Sequence, residues 1–141
     1  MSATDQFDTP MIFSLTVWGE ARGEGSTGQQ AVCNVIMNRV KSGTTWWGDD
    51  PRSVCLKPFQ FSCWNENDPN LPLMMKIGQN NGLVDITFDQ IQTLAQMALE
   101  DNLPDVTNGA TSYYAKGTPE PAWAQGKQPC ANIGHHLFFM V

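Results

Sequence analysis

An acidic residue followed by glycines is the part of the sequence best suited to chemistry. Glu20 stands near the end of an apolar run, in the segment Val17-Trp18-Gly19-Glu20-Ala21-Arg22-Gly23-Glu24. The negative end of a helix dipole disfavours a carboxylate, and aromatic neighbours would desolvate it. Both effects favour the protonated form that a general acid needs. An isolated glutamate at a helix end is also commonly a solvated surface residue, so this pattern alone leaves two readings open.

The helix that would position Glu20 is predicted to begin with Thr9 as its N-cap and Pro10 as its first helical residue. Gly23 and Gly25 then break the helix, which puts Glu20 on its last turn. The apolar positions fill about three turns, an ordinary length for a globular domain. They are Ile12, Leu15, Val17 and Trp18.

Two further helices are predicted from capping boxes and from apolar residues at helical spacing. The second begins at Thr27, paired with Gln30, and we expect it to be the central helix of the core. Its apolar positions are Val32, Val35, Ile36 and Val40. The third begins with Thr87 and Gln90, spans about 87–100 and has a structural role. Its apolar face consists of Ile91, Leu94, Ala95, Ala98 and Leu99.

Loops and short strands are predicted for the rest of the chain. A loop rich in turn-forming residues runs from Gly43 to Pro72. Long loops in compact domains are usually functional or disordered, and the aromatic content of this one argues against disorder. Its aromatic residues are Trp46, Trp47, Phe59, Phe61 and Trp64. Strand-like runs at 111–115 and 136–141 predict a small hairpin or strand pair.

Composition favours one globular domain over residues 1–141, since 41% of the residues are hydrophobic and 16% are charged. No apolar run approaches the ~20 residues of a transmembrane helix. The net charge of -6 and the lack of a polybasic tail argue against nucleic acid and anionic lipid as partners. Asp5 and Asp8 stand where a secretory signal would be positive, so no signal peptide is predicted. We expect a monomer that does not insert into membranes.

The ordered motifs of the chain resemble the SleB/CwlJ-type cell wall hydrolases, a family of spore cortex-lytic enzymes that also includes phage and prophage endolysins. The resemblance extends from about Met11 to Phe139. It is carried by Gly-Glu-Ala-Arg-Gly-Glu at 19–24, the Gly-Gln-x-Ala-Val helix ending in Asn-Arg-Val at 38–40, Pro-Phe-Gln-Phe-Ser-Cys-Trp at 58–64, the tyrosines at 113–114 and Ile-Gly-His-His-Leu-Phe at 133–138.

This resemblance implies an α+β fold: a compact, lysozyme-like, mainly helical catalytic domain with a small β-hairpin or strand pair. It implies cleavage of peptidoglycan glycan strands between N-acetylmuramic acid and N-acetylglucosamine, as a lytic transglycosylase. Gly25 stands where the spore enzymes usually have proline, and the 60–64 segment contains a cysteine. Both departures favour phage or proteobacterial relatives over a spore role. A small, single-domain wall enzyme without a predicted signal peptide fits a phage endolysin held in the host cytoplasm until release to the periplasm or cell wall. A bacterial or prophage enzyme is the alternative.

Glu20 is the general acid and base that the resemblance implies, and Glu24 is the candidate for a second acid. An ion pair between Glu24 and Arg22 or Arg39 is the simpler interpretation of Glu24, and we favour it. Glycosidic cleavage by transglycosylation needs one carboxyl group, because the 6-hydroxyl of muramic acid captures the oxocarbenium-like centre. A hydrolytic muramidase would use a second carboxylate.

Sugar binding needs aromatic surfaces with a few convergent polar groups. The residues that match the family's binding segments are Gln60, Phe61, Ser62, Trp64, Tyr113, Tyr114, Trp123 and His136. Tyr114 and His136 are candidates to hydrogen-bond Glu20 or the substrate, although His136 is equally well explained as a structural histidine. At least half of the aromatic residues are expected in the core, where we place Phe61, Trp64, Phe138 and Phe139.

The four cysteines are Cys33, Cys55, Cys63 and Cys130, which permit three complete two-bridge pairings. Cys33 lies in a predicted helix and is expected to be a core residue, while a disulfide or free thiols are equally open for the others. A zinc site that includes His135 lacks the close pairing of common structural sites. No metal or organic cofactor is predicted.

Two other classes of function remain as alternatives. A cysteine amidase or endopeptidase would use Cys63 with His136. A non-catalytic glycan-binding module would need only the aromatic loop.

Overall fold

The structure is a computed structural model that describes residues 3–44, 46–81 and 85–141. Its helices are α1 (Thr9–Ala21), α2 (Gly25–Lys41), α3 (Pro51–Leu56), α4 (Asn70–Gln79) and α5 (Ile86–Leu99). Short 3-10 helices cover Ala3–Gln6, Ser62–Trp64 and Ala122–Ala124. The strands are β1 (Ser112–Ala115), β2 (Ala131–Ile133) and β3 (His136–Phe139). Position 45 of the predicted 43–72 loop lies outside the described residues.

Helix α1 begins one residue earlier than predicted. Asp8 is the N-cap, and its carboxylate accepts from the backbone N–H of Met11 over 3.0 Å. Thr9 is therefore the first helical residue and not the cap. Pro10 is tolerated beside it because the N–H groups of the first turn have no intrahelical partner.

The centre of the helical core is α1, not α2 as predicted. Helix α1 contacts α2, α3, α4 and α5. Every residue from Ile12 to Trp18 is buried, and the two hydroxyl side chains within that run are satisfied by the helix itself. Ser14 Oγ donates to the carbonyl of Pro10, and Thr16 Oγ1 donates to that of Ile12. Helix α1 can therefore be enclosed on all sides without an unpaired hydroxyl.

Helix α2 begins at Gly25, and the capping box predicted for it is absent from the structure. Gly25 has φ +78, which lets the chain reverse direction directly after α1. Gln30, the predicted partner of Thr27 in that box, instead donates its side-chain amide to the carbonyl of Pro104 over 2.8 Å. The early start puts Glu24 at the N-cap position, between the two helices.

Helix α5 agrees with the prediction except at its cap. Asp85 is the N-cap and accepts from the N–H of Phe88 over 2.8 Å, so the box predicted for Thr87 and Gln90 is wrong. The predicted apolar face is confirmed, with Ile91, Ala95 and Ala98 buried.

The predicted 43–72 loop contains α3, the Ser62–Trp64 turn and the start of α4, all of which were missed. Asp50 and Ser53 form a capping box at the start of α3. Pro72 lies in the first turn of α4, a position that proline tolerates, and so does not mark the end of a loop.

The strands form an antiparallel sheet in the order β1-β3-β2. The predicted pair of strands is confirmed, and β2 was missed. Gly134, with φ +57, is the first residue of the two-residue turn between β2 and β3. Phe138, on the inner face of the sheet, packs against Ala31 and Val35 of α2. The fold is α+β and mainly helical, as predicted.

Among the described residues, no helix combines the length and hydropathy that a membrane crossing requires.

Candidate active site

Glu20 lies on the last turn of α1, as predicted, and both of its carboxylate oxygens accept hydrogen bonds. The hydroxyl of Tyr113 donates to Oε1 over 2.7 Å. The backbone N–H of Cys63 donates to Oε2 over 3.2 Å. Since one donor belongs to β1 and the other to the Ser62–Trp64 turn, two distant parts of the chain fix the orientation of one carboxyl group.

Gly19 allows that backbone N–H to approach. A Cβ atom at Gly19 would lie 2.7 Å from Cys63 Cβ and 2.7 Å from Met74 Sδ. Such distances are shorter than packed carbon and sulfur atoms permit. The glycine that precedes Glu20 therefore has a steric role, which its sequence position alone did not reveal.

Tyr113 keeps its proton at neutral pH and acts as a donor. Burial raises the pKa of its hydroxyl well above the usual range, and the adjacent carboxylate of Glu20 raises it further. The Tyr113 ring meets the His136 ring edge-on, with centroids 4.9 Å apart and planes at 78°. It also contacts Phe138, its cross-strand partner, at 5.4 Å.

Glu24 lies among histidine nitrogens, with only 8% of its side chain exposed. The backbone N–H of His135 donates to Oε1 over 2.8 Å, and its ring Nδ1 lies 2.6 Å from Oε2. Nδ1 of His136 is 3.0 Å from Oε1, within ion-pair distance but without hydrogen-bond geometry. Burial alone would raise the pKa of Glu24, but the hydrogen bonds from His135 and the charges of both histidines outweigh it and lower that pKa.

The predicted ion pair of Glu24 with Arg22 or Arg39 is wrong. The Arg22 guanidinium lies over the Trp18 ring, 4.3 Å from its centroid. Arg39 is directed to other groups, described next. The β2–β3 turn brings its histidines to Glu24 from a part of the chain that is remote in sequence.

Arg39 is a buried residue beside the site, a placement that was not predicted from the sequence. Its Nε donates to the carbonyl of Thr111 over 2.6 Å, and Nη1 reaches Gln60 Oε1 at 3.4 Å. Its guanidinium lies 5.0 Å from the Phe61 ring centroid and 5.6 Å from that of Trp47. Burial lowers the pKa of Arg39, but a guanidinium remains charged in proteins. The loop and the residue preceding β1 are thus joined through one cation.

The loop residues predicted to bind sugar differ in exposure. Gln60 and Ser62 are exposed and Trp64 is half-buried, whereas Phe61 is 2% exposed and belongs to the core. Trp64 Nε1 donates to Thr16 Oγ1 over 2.9 Å. The Phe61 ring therefore packs against the Arg39 guanidinium, and little of its surface remains for contact with a ligand.

An open cavity of about 600 Å³ is lined by residues of this loop between positions 56 and 67. Residues around it include Lys57, Phe59, Phe61, Trp64, Asn65 and Asn67. Phe59 is 88% exposed and has φ +67, an unfavourable backbone conformation for a bulky residue. The cavity therefore combines aromatic and amide surface.

Tyr114 and Trp123 lie on the opposite face of the sheet from Tyr113. Tyr114 stacks on Phe139 with centroids 5.6 Å apart, and Trp123 meets the same ring edge-on at 5.4 Å. Neighbouring residues of a strand face opposite sides, so Tyr113, not Tyr114, is the tyrosine that bonds Glu20. His136, the other candidate for that contact, lies against Glu24 instead. Phe138 and Phe139 are buried, which confirms their predicted place in the core.

The cysteines do not have the environment of a nucleophile. All four are free thiols, and Cys63 is 1% exposed. Burial raises the pKa of the Cys63 thiol, as does the neighbouring carboxylate of Glu20. Because the reactive form is the thiolate, these contacts argue against the Cys63–His136 alternative. Within the described residues, no three His, Cys, Asp or Glu side chains are grouped closely enough to hold a metal ion.

The fold and the site define a lysozyme-like α+β domain, in which a glutamate at the end of the most buried helix meets a tyrosine of a small sheet. The model of the cell wall hydrolase family matches residues 23–139, and the chain belongs to that family. The predicted membership of the SleB/CwlJ-type hydrolases is thereby confirmed. Glu20 lies just before the matched range, so its role is argued from the geometry.

Individual relatives agree with this assignment. The chain is 30% identical over 129 residues to a spore cortex-lytic enzyme of Halalkalibacterium halodurans, covering 90% of this chain and 33% of that protein. The chain thus spans about a third of the length of that curated relative.

The fold is shared with two solved catalytic domains. The SleB catalytic domain of Bacillus cereus superposes with a TM-score of 0.66 at 22% identity, over 92% of this chain and 88% of that one. The catalytic domain of the germination-specific lytic transglycosylase SleB from Bacillus anthracis gives 0.65 at 24% identity, over 92% of both chains.

Proposed function

We propose that this protein cleaves peptidoglycan glycan strands between N-acetylmuramic acid and N-acetylglucosamine, with Glu20 as the acid and then the base. The observation that carries the proposal is the Glu20 carboxyl group, which is half-buried and oriented through both oxygens by Tyr113 and the Cys63 N–H. A general acid must hold its proton in a fixed direction toward the leaving oxygen.

The reaction would proceed in two proton transfers. Protonated Glu20 gives its proton to the glycosidic oxygen as the bond to the muramic acid C1 breaks, and the sugar becomes oxocarbenium-like. The resulting carboxylate accepts the proton of the muramic acid 6-hydroxyl as that oxygen bonds to C1. The products are a 1,6-anhydromuramic acid end and a free 4-hydroxyl on N-acetylglucosamine, and Glu20 is again protonated.

The surroundings of Glu24 favour transglycosylation over hydrolysis. A hydrolytic mechanism with two carboxyl groups requires the second one to face water or the sugar. Glu24 has an 8% exposed side chain and lies within 3.0 Å of histidine nitrogens through both oxygens. Of the two glutamates of the 19–24 motif, Glu20 is thus the one available for the reaction, and transglycosylation needs only one.

The decisive experiment compares the wild-type chain with Glu20→Gln on purified peptidoglycan, with mass spectrometry of the released fragments. We expect anhydromuramyl ends from the wild type and a loss of at least about 10³-fold in rate for the variant, the scale of a lost catalytic proton transfer. Glu100→Gln is the matched control, because Glu100 is also a glutamate at the C-terminal end of a helix but is exposed, and the activity of this variant should equal the wild type.

Other products would lead to other conclusions. Reducing muramic acid ends would establish a hydrolytic muramidase. Released peptides, or an unimpaired Glu20→Gln, would overturn the glycosidase. Retained binding without any product would identify a glycan-binding module.

We further propose that the 600 Å³ cavity beside the loop receives part of the glycan strand. Phe59 offers an exposed ring, Asn65 and Asn67 offer amides for acetamido and hydroxyl groups, and the adjoining Ser62–Trp64 turn reaches Glu20. A bulky side chain held at positive φ costs about 1–3 kcal/mol, a strain typical of ligand-binding positions.

Phe59→Ala tests this subsite. We expect KM for soluble glycan strands to rise about five- to tenfold with kcat unchanged, since one stacking contact is worth about 1 kcal/mol. Ile86→Ala removes another exposed apolar side chain, on α5, and should leave KM unchanged. Equal KM values for Phe59→Ala and wild type would place the glycan elsewhere.

The biological setting that we propose is a phage endolysin that reaches the wall from the host cytoplasm. The support for it is the Gly25 and Cys63 pattern of the sequence, which departs from the spore enzymes.

A further inference from the structure

The second glutamate of the 19–24 motif lies in a space that the fold keeps clear for its carboxyl group. Two glycines make that room. A Cβ atom at Gly28 would lie 2.5 Å from Glu24 Cβ, and one at Gly134 would lie 2.6 Å from Glu24 Oε1. Helix α2 and the β2–β3 turn thus close on Glu24 from two sides, which explains its 8% exposure.

The contacts of Glu24 are directed to the sheet. The backbone and ring of His135 contribute nitrogens at 2.8 and 2.6 Å, and the His136 ring contributes one at 3.0 Å. The carboxylate therefore holds His135, in the β2–β3 turn, and His136, the first residue of β3. These contacts occupy the Glu24 carboxylate with groups of the protein itself, and none of them indicates that Glu24 binds a glycan.

The sheet connects the position of His136 to Glu20. The His136 ring, 12% exposed, packs edge-on against the Tyr113 ring with centroids 4.9 Å apart. The Tyr113 hydroxyl in turn donates to Glu20 over 2.7 Å. A continuous series of contacts thus joins the two glutamates through one imidazole and one phenol.

A second route reinforces the first through the backbone. His136 pairs with Ala115 in the register of β1 and β3, and the N–H of Lys116 donates to the carbonyl of His135 over 2.8 Å. Moving the β2–β3 turn would therefore shift the strand that holds Tyr113.

We propose that Glu24 is a positioning residue, which holds His136 and through it the Tyr113 hydroxyl on Glu20, and that it transfers no proton to the substrate. This inference rests on the proposed role of Glu20. It differs from a merely structural role because it predicts that the effect of Glu24 on catalysis depends on the Tyr113 hydroxyl.

A double-mutant cycle tests that dependence. Initial rates on soluble glycan strands are measured for wild type, Glu24→Gln, Tyr113→Phe and the double variant. We expect kcat to fall about tenfold in each single variant, the value of one hydrogen bond of about 1.4 kcal/mol, with KM changed less than about twofold. In the double variant, kcat should equal that of Tyr113→Phe alone, because the group through which Glu24 acts is already absent.

Three results would overturn the proposal. The first is a fall of kcat in the double variant equal to the product of the two single-variant falls. The others are a loss of activity in Glu24→Gln as complete as in Glu20→Gln, or a change from anhydromuramyl to reducing ends in the products of Glu24→Gln. A loss as complete as in Glu20→Gln would make Glu24 a catalytic group, and a change of ends would show that Glu24 acts in the capture of C1 by the 6-hydroxyl. An active Glu20→Gln, by contrast, would refute the proposed function itself, whatever the cycle gives.

A second variant guards against misfolding. If Glu24→Gln does not fold, as judged by circular dichroism, His136→Asn removes the ring while leaving the His135 contacts in place. We expect kcat of the His136→Asn, Tyr113→Phe double variant to equal that of Tyr113→Phe alone. A fall equal to the product of the two single-variant falls would again refute the positioning role. Glu100→Gln serves as the control for charge removal.

Discussion

Two glutamates four positions apart have different environments, and the roles that we propose for them rest on this difference. Glu20 is half-buried and receives one phenol and one backbone N–H. Glu24 is nearly enclosed and lies among histidine nitrogens, which hold its pKa below the usual range. The sequence places Glu20 well, but Glu24 meets residues 111 positions away, which no local pattern reveals.

Gly19 is the residue that lets the Ser62–Trp64 turn approach Glu20, and Gly19→Ala tests its role. The added methyl group would meet Cys63 Cβ and Met74 Sδ at 2.7 Å. We expect a loss of about 1–3 kcal/mol in the free energy of unfolding from overpacking, although alanine is otherwise the better helix former. We also expect kcat to fall, because the Cys63 N–H moves away from Glu20.

The matched control for this change is Gly23→Ala. An added Cβ at Gly23 meets no atom within 4 Å, so its stability should stay within about 0.5 kcal/mol of the wild type. Urea unfolding followed by tryptophan fluorescence measures both variants. Equal stability of Gly19→Ala and Gly23→Ala would show that the turn can retreat at no cost.

At the scale of elements, long apolar periodicity was predicted well and helix starts were not. Helices α1, α2 and α5 and the pair β1–β3 follow from spacing alone. Each helix start differs from the prediction for a physical reason: aspartates at positions 8 and 85 outcompete the neighbouring threonines as caps, and Gly25 turns the chain early. Competing cap residues within one or two positions are separated by geometry that the sequence does not contain.

The 43–72 region shows a different kind of error. Its Asp50-Pro51-Arg52-Ser53 run carries a capping-box signal, which marks the start of α3 within a region otherwise rich in turn-forming residues. Pro72 is typical of a loop, but the first turn of a helix also accepts proline, so it does not separate the loop from the start of α4. The short strand β2 offers three residues and no alternation long enough to detect.

Arg39 illustrates what apolar spacing implies for a polar residue. It follows Val32, Val35 and Ile36 at helical spacing, so it continues the buried face of α2. A charged residue on such a face must find partners, since an unpaired buried charge is costly. That signal could have identified Arg39, but its partners lie on the loop and beside β1, and only the fold brings these together.

At the scale of the whole molecule, the site depends on three distant parts of the chain. Helix α1 supplies Glu20, the Ser62–Trp64 turn supplies a backbone N–H, and β1 supplies Tyr113. The carboxyl group is thus oriented only when the helical part and the sheet are packed together. A variant that loosens either part is expected to lower kcat before it unfolds the chain.

The cysteines show how the whole fold determines reactivity. Cys33, Cys55 and Cys63 are buried in the helical core, and Cys130 is half-buried beside the sheet. Burial raises the pKa of all four thiols, and that of Cys55 to about 12. At neutral pH these groups are protonated, and protonated thiols react slowly with disulfide reagents.

We therefore expect the folded chain to react with Ellman's reagent at Cys130 at most, and slowly, because a thiol that is both protonated and buried cannot attack. In denaturant, all four thiols should react. Since no bridge constrains the unfolded chain, the Tm should be the same with and without dithiothreitol. Fewer than four reactive thiols in denaturant, with a Tm that falls on reduction, would reveal a disulfide. Rapid labelling of Cys63 in the folded state that also abolished the release of peptides from peptidoglycan would revive the cysteine amidase or endopeptidase, provided that Cys63→Ala released no peptides either.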